Sequence, residues 1–268
     1  MKKMRMAIQL YSVRTDLEKD FEGTLRQLKE FGYAGVEFAG LCGRKPEQVR
    51  KILRGLGLEA VGAHVPLSEF RADTDRVIAD YQTVGCAFLV IPMLEADERP
   101  GSENWAETAE LLTRISRKTS QAGMPLLYHS HDMDFDPYGN GVMLDEICGA
   151  SSDILAEPDT CWASVAGEDP VMLLGRLQGR VPLVHIKDFE LYGPLPAHLA
   201  ERFGRSGTGA HRVEYRPVGY GMQDLPGLIS ACRSAGTLWA VVEEDEPDSG
   251  RTRMECARLS AQSLLEFL

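Results

Sequence analysis

LLYHSHD (126–132), ILAEPDT (154–160), VPLVHIKD (181–188) and WAVVEED (239–245) decide the fold of this chain. Each is an aliphatic or β-branched run, short enough for a strand buried on both faces. Each closes on a residue able to hold a divalent metal: His129 or His131, Asp159, His185 and Glu243. Each lies between stretches with helical periodicity. In a parallel α/β barrel the carboxyl ends of all strands open onto one face, and active sites are built there. Residues far apart in sequence therefore converge. Two histidines with two carboxylates, or three with two, suit Zn²⁺ or Mn²⁺, with Co²⁺ and Fe²⁺ as alternatives.

The alternation extends along the whole chain. Strands are predicted at 6–12, 34–40, 59–65, 87–93, 125–130, 153–159, 182–187 and 239–244. Helical patterns fall at 21–32, 46–57, 70–84, 103–122, near 141–148, 169–177, 224–235 and about 251–267. Pro46 opens the second helix and Gly57 follows it, the usual asymmetry of helix ends. Alternating strands and helices imply a parallel sheet. Eight such units in 268 residues imply one closed (β/α)₈ TIM barrel, a single domain over 1–268. No GxGxxG follows the first strand, which argues against a dinucleotide fold. The long insertion 189–222 leaves the active-site face and carries glycines 204, 207, 209, 219 and 221. Such insertions are usually lids or binding loops, so it should cover part of the mouth.

Composition narrows the partners. Hydrophobic residues make up 44% and the net charge is −11, with no Lys/Arg run. An acidic surface disfavours nucleic acid and anionic membranes. No apolar run reaches membrane-spanning length, and the basic N-terminus is too interrupted for a signal peptide. Six scattered cysteines without a CxxC pair read as reduced, buried thiols of a cytoplasmic protein. A homo-oligomer is compatible with all of this.

Strand parity tests the site. Successive strand residues face opposite sides. If His129, Glu157 and Asp159, His185 and Glu243 point inward, then Leu127, Leu155, Leu183 and Val241 fill the barrel layer beneath. The opposite assignment puts unpaired charge against the helices, which is costly. Each residue also has a structural reading. Asp159 precedes TCWASVAG and can cap a helix. Glu243 can pair with an Arg, Trp162 can be core, and one of His129 and His131 can serve only to orient the other. Glu157 is expected one layer down, paired with Lys187.

These segments resemble the sugar phosphate isomerase/epimerase family, the xylose isomerase-like TIM barrels. LYHSHDMDF is similar to that family's YHNHDFEF-type segment, and EPDTCWASVAGEDP to its acidic-x-Asp-x-x-Trp…Ala-Gly-x-Asp-Pro segment. RVPLVHIKDF is similar to its His-x-Lys-Asp segment. PVGYGMQDLPGLISACRSAGTLWAVVEEDEP is similar to its Gly-x-Gly lid followed by a Glu-x-Asp strand. The resemblance covers nearly the whole chain.

It implies one divalent ion held by two Glu, one Asp and one His. Carried over by position, Asp159, His185 and Glu243 keep their types, and the first Glu falls at His129. In the epimerases both Glu residues are proton-transfer bases on opposite faces of the sugar. His129 therefore departs from a symmetric two-glutamate epimerase and fits a branch nearer to inosose dehydratase-like or 3-keto-sugar-processing proteins. The expected chemistry is a metal-dependent sugar or cyclitol isomerase or epimerase acting through a stabilised enediolate. A lyase or dehydratase, or a non-catalytic sugar-binding barrel, are the alternatives. Glu243 or His131 is the expected base, and the other, or Lys187, returns the proton. Glu37 and His64 are candidate hydroxyl binders, and Trp162 a ring to stack on a sugar. Apurinic endonucleases share the superfamily but need a three-metal cluster. His64 matches one of those ligands, yet the strand ending IPM (91–93) supplies no His, so nuclease activity is not expected.

Overall fold

The eight apolar runs become eight parallel strands of one sheet in a computed structural model that describes residues 3–192, 212–248 and 250–268. We number them β1 (Arg5–Gln9), β2 (Gly35–Ala39), β3 (Glu59–His64), β4 (Phe88–Ile91), β5 (Leu126–His129), β6 (Ile154–Glu157), β7 (Leu183–Ile186) and β8 (Trp239–Val242). Order around the barrel is β6-β5-β4-β3-β2-β1-β8-β7. The seam between β6 and β7 closes by a parallel bridge, Asp159 to His185, and by His185 N–H donating to the Pro158 carbonyl at 3.0 Å. The chain is therefore a TIM barrel, nearly closed by full ladders and joined at the last seam by a few bonds. Among the described residues no helix is long and apolar enough to cross a membrane.

Two layers fill the interior. The lower is apolar: Ala7, Val61, Val90, Leu127, Leu183, Trp239 and Val241, with Leu155 packed against it. The four partners expected from parity are all in it. The upper layer is polar and buried: Gln9, Glu37, His129, Glu157 and His185, with His64 at its edge. Odd-numbered strand positions face in on β1, β2 and β5 to β8. On β3 a register shift pairs Val36 with Ala60 but Glu37 with Gly62. This bulge turns both Val61 and Gly62 inward and then carries His64 to the mouth. Gly62 is glycine for want of room: a Cβ there would stand 2.5 Å from Glu37 Oε1.

The helices pack outside. Three departures from the sequence reading are local, two in short elements and one at a cysteine. TCWASVA forms a helix of its own, Thr160–Ala166, before the expected one at Pro170–Arg176. β5 stops at His129, so His131 begins a 3₁₀ turn over Asp132–Phe135 instead of continuing the strand. All six cysteines are free, but Cys42 is exposed where a buried thiol was expected.

The insertion after β7 starts as an antiparallel pair, Asp188–Tyr192 with Arg212–Arg216. Residues 193–211, including glycines 204, 207 and 209, lie outside the described residues. The pair stands on the carboxyl face: Phe189, Leu191, Val213 and Tyr215 pack around Cys161. Its return is fastened by one carboxylate. Asp188 Oδ1 accepts from Phe189 N–H at 2.9 Å and Gln223 N–H at 3.1 Å, and Oδ2 from Gly219 and Gly221 N–H, both at 2.9 Å. Gly221 admits the carboxylate, because a Cβ there would lie 2.2 Å from Asp188 Oδ1.

Removing that acceptor strands several buried donors, each costing about 1–3 kcal/mol when unsatisfied. Asp188→Ala should lower stability by about 2 kcal/mol or more. It should also speed amide exchange at Gly219–Gln223, read by hydrogen–deuterium exchange with denaturant melts. Unchanged protection at those amides would contradict the anchoring role.

Candidate metal centre

β5, β6, β7 and β8 deliver their last inward residues to one point. One ligand-type atom each from His129, Asp159, His185 and Glu243 lies within 4.8 Å of the other three, and all four residues are buried. The strand ends fix this because parallel strands in register present corresponding positions at one height. Val241 is level with His185 on the neighbouring strand, which puts Glu243 just above it.

Asp159 divides its carboxylate. Oδ1 caps the helix Thr160–Ala166, accepting from Cys161 N–H at 2.7 Å and Trp162 N–H at 3.0 Å. Oδ2 is buried without a hydrogen-bond partner, 3.4 Å from the Lys187 ammonium. The cap and the ligand, alternatives from sequence, are two oxygens of one group. An orphaned buried carboxylate oxygen among two imidazoles and a second carboxylate fits a divalent cation.

The histidines are oriented from below. His185 Nε2 meets Glu37 Oε2 at 2.8 Å, and its Nδ1 meets Glu243 Oε2 at 2.9 Å. Glu37 is steadied in turn by Gln9 Nε2 at 3.0 Å. His129 Nδ1 meets Glu157 Oε2 at 3.2 Å, which leaves Nε2 as the nitrogen available to an ion. Carboxylates behind ligand histidines are the usual way a metal site fixes ring orientation and tautomer. Glu157 also contacts His64 Nε2 at 2.8 Å. Its expected pairing with Lys187 is thus corrected: the bulge on β3 brings His64 over Glu157, while Lys187 rises past it to Glu243 and Asp245, both at 3.0 Å. A second set, His64, His129, Glu157 and His185, also has ligand atoms within 4.8 Å and shares two histidines with the first.

Electrostatics follow from this crowding. Burial disfavours the Lys187 charge, but Glu243, Asp159 and Asp245 outweigh it and raise its pKa, so it stays an ammonium. Burial opposes Glu243 ionisation too, and Lys187 with His185 overcomes it, holding the carboxyl ionised. Burial alone would keep His64 neutral, yet Glu37 and Glu157 lift it to about 10. Burial, with Lys187 nearby, pushes His131 down to about 4, so it is neutral at pH 7. Burial lifts Asp159 to about 6 against the pull of Lys187.

Above the cluster opens a cavity of about 690 Å³ lined by Tyr11, His64, Met93, His129, His131, Lys187, Glu243 and Asp245, among others. That is room for a small ligand. His64 and His131 therefore reach it. Trp162 stands beside it, its ring 5.9 Å from His131 and 5.3 Å from the Lys187 ammonium. Glu37 does not line it. The residue expected to bind a hydroxyl is fully buried under His185 and acts on that ring instead. Sequence reasoning missed Gln9, Tyr11 and Asp245. Asp245 carries a signal in the sequence, the Glu-x-Asp spacing from Glu243. Gln9 had only its inward parity on β1.

The barrel and its polar mouth define an α/β enzyme-type scaffold, and the comparisons say which. Residues 25–264 match the xylose isomerase-like TIM barrel model, and the chain belongs to that family. Inosose dehydratase of Geobacillus kaustophilus is 24% identical over 188 residues, 61% of this chain and 60% of that protein. The chain thus spans about three fifths of the length of that relative. The rhizopine catabolism protein MocC of Rhizobium meliloti is 22% identical over 268 residues, 91% of this chain and 80% of that protein. Among solved structures, a sugar phosphate isomerase/epimerase from Parabacteroides distasonis superposes with a TM-score of 0.76 at 21% identity, covering 98% and 93% of the two chains. An L-ribulose 3-epimerase superposes with a TM-score of 0.71 at 15% identity, covering 99% and 95%.

The two oxygens of Asp159 make a sharp prediction. Asp159→Asn keeps the cap, because the amide oxygen must accept from Cys161 and Trp162, and its NH₂ then faces the ion. Melting temperature should stay within a few degrees while affinity for Mn²⁺ or Co²⁺ falls about 100-fold or more. Wild-type affinity should drop as pH falls through about 6, where Asp159 takes up a proton. Titration calorimetry checks both. Undiminished binding by the Asn variant would remove Asp159 from the ligand set.

Proposed function

We propose that this chain is a metal-dependent enzyme of carbon-acid chemistry on a neutral polyhydroxy ketone, sugar or cyclitol, and that it ends in loss of water. His129, Asp159, His185 and Glu243 would hold one divalent ion, Mn²⁺ or Zn²⁺ being the best match to this nitrogen and oxygen set. Bound there, the ion supplies Lewis-acid polarisation of a ketone and its neighbouring hydroxyl. Every other part of the reaction falls to side chains.

The observation that carries the reading is the Glu243–Lys187 contact at 3.0 Å, with a histidine where a second carboxylate would stand. A two-base epimerase needs a proton acceptor on each face of the substrate. Here the carboxylate and its ammonium partner share one side. Across the site, His129 is neutral through burial and engaged with Glu157. Glu243 takes the proton from the carbon beside the ketone, and the electron pair moves into the enolate. Lys187 gives a proton to the hydroxyl on the next carbon, whose C–O bond breaks to release water. The proton on Glu243 then passes over the 3.0 Å contact to Lys187, and both groups are restored. His131, Tyr11 and Met93 bound the ligand space, and Trp162 and Tyr215 flank Lys187.

The dehydratase names among the relatives support this direction, and an inosose is the first substrate to try. Isomerisation is the second reading. It is favoured by His131, neutral and with Nδ1 unpartnered, which can return the proton to a neighbouring carbon. The barrel reads as a single-domain cytoplasmic enzyme, with a small-molecule substrate and neither nucleic acid nor membrane as partner.

Inososes and keto-sugars incubated with metal-loaded enzyme in deuterium oxide separate these outcomes. The expected result is metal-dependent exchange of the α-hydrogen together with an ultraviolet-absorbing, dehydrated product. Exchange with recovery of an isomer, and no dehydrated product, would replace elimination by isomerisation. Glu243→Gln should cut turnover about 10²–10⁴-fold with only moderate loss of metal. Lys187→Met should cost about 2–4 kcal/mol of barrier. His131→Gln should slow turnover with the metal retained. Full exchange in Glu243→Gln would remove it as the base.

A further inference from the structure

Glu244 faces away from the active site. Its neighbour Glu243 points into the barrel mouth, so by strand alternation Glu244 points outward, toward the C-terminal helix Arg253–Leu265. There it meets two other ligand-type residues. A donor atom from each of Glu244, Asp248 and Cys256 lies within 4.8 Å of the other two. Cys256 Sγ is 3.7 Å from Asp248 Oδ1, and Asp248 N–H donates to Glu244 Oε1 at 3.2 Å.

A second observation sets the group apart from an ordinary acidic loop. Glu244 is 5% exposed, and its Oε2 is buried with no hydrogen-bond partner. Glu244 and Cys256 line a small cavity of about 10 Å³, together with Ile8, Ser12, Val242 and Arg253. That is space for one water-sized species. Among the described residues, the one side-chain donor beside this carboxylate is the Cys256 thiol, a weak one, so burying the carboxylate there is costly. A cation in the cavity removes that cost.

We propose that Glu244, Asp248 and Cys256 form a second cation site, distinct from the one in the barrel mouth, for a thiophilic divalent ion of the Zn²⁺ type. One thiolate and two carboxylates are a borderline-soft set that suits Zn²⁺ over Mg²⁺ or Ca²⁺. The ion displaces the thiol proton and itself fills the cavity, held by the thiolate and by carboxylate oxygens of Glu244 and Asp248. Arg251 pairs with Asp248 Oδ2, so the outer oxygen is already occupied and Oδ1 is the one turned to Cys256. The site ties the end of β8 to the first turns of the last helix. The loop it staples carries Glu243 and Asp245, both in contact with Lys187. Its work is to hold that loop, and it is independent of which reaction the barrel performs.

Cobalt substitution tests this without any assay of activity. A thiolate ligand gives a thiolate-to-Co²⁺ charge-transfer band in the near ultraviolet, which a site of His, Asp and Glu alone cannot. Full-length protein stripped of metal and titrated with Co²⁺ should show that band, reaching the intensity of one thiolate-bound Co²⁺ per chain once both sites are filled. Cys256→Ala should abolish it, and Cys161→Ala, at the other buried thiol near a candidate ligand, should keep it. Glu244→Gln should weaken the band's Co²⁺ affinity about tenfold or more. It also serves where Cys256→Ala fails to fold. No band in wild-type protein with excess Co²⁺, a band that survives Cys256→Ala, or unchanged affinity in Glu244→Gln would each overturn the proposal.

Discussion

His185 closes the barrel and orders the site in one stroke. Its N–H makes the bond that bridges β7 to the chain leaving β6, and its carbonyl accepts from Thr160 Oγ1 at 3.0 Å. Its ring is gripped by Glu37 below and Glu243 above. Asp159, across the seam, starts the helix that Thr160 begins. A barrel with one sparse seam is least constrained at that seam. Here the sparse bonds are reinforced by the side chains that also make the candidate metal centre. Fold closure and site geometry are therefore a single constraint.

The second theme is charge. Five carboxylates, of Glu37, Glu157, Asp159, Glu243 and Asp245, surround the mouth and its floor, against the charges of Lys187, His64 and His185. Burial of so many acids is tolerated only where each meets a cation or a donor. The lower acids meet histidines through one oxygen each, leaving Glu37 Oε1 and Glu157 Oε1 without a donor. The upper ones meet Lys187 and leave Asp159 Oδ2 without one. The same layering separates roles: the floor orients rings, and the mouth exchanges protons with a ligand.

Much of this was legible in the sequence, for a definite reason. A strand has a period of two, so inward Leu127, Leu183 and Val241 implied inward His129, His185 and Glu243. Barrel topology then brought those ends together. What escaped was local geometry. The bulge at Val61 and Gly62 leaves no mark in the apolar pattern, yet it decides that His64, and not Lys187, meets Glu157. The depth of Glu37 depends on how far β2 runs beneath the mouth. The helix at Thr160–Ala166 is too short, at seven residues, to show a period, and only the capping signal of Asp159 pointed to it. Asp159 read as either cap or ligand, because a sequence cannot assign two oxygens of one side chain to two tasks.

The central claim is that the ion sits in the upper of two overlapping ligand sets. Anomalous diffraction at the metal edge, from crystals grown with Mn²⁺ or Co²⁺, locates it directly. The account predicts a peak in coordination reach of Asp159 Oδ2, Glu243, His185 Nδ1 and His129 Nε2. A peak among His64, Glu157 and the lower nitrogens of His129 and His185, or no peak in the barrel mouth, would contradict it.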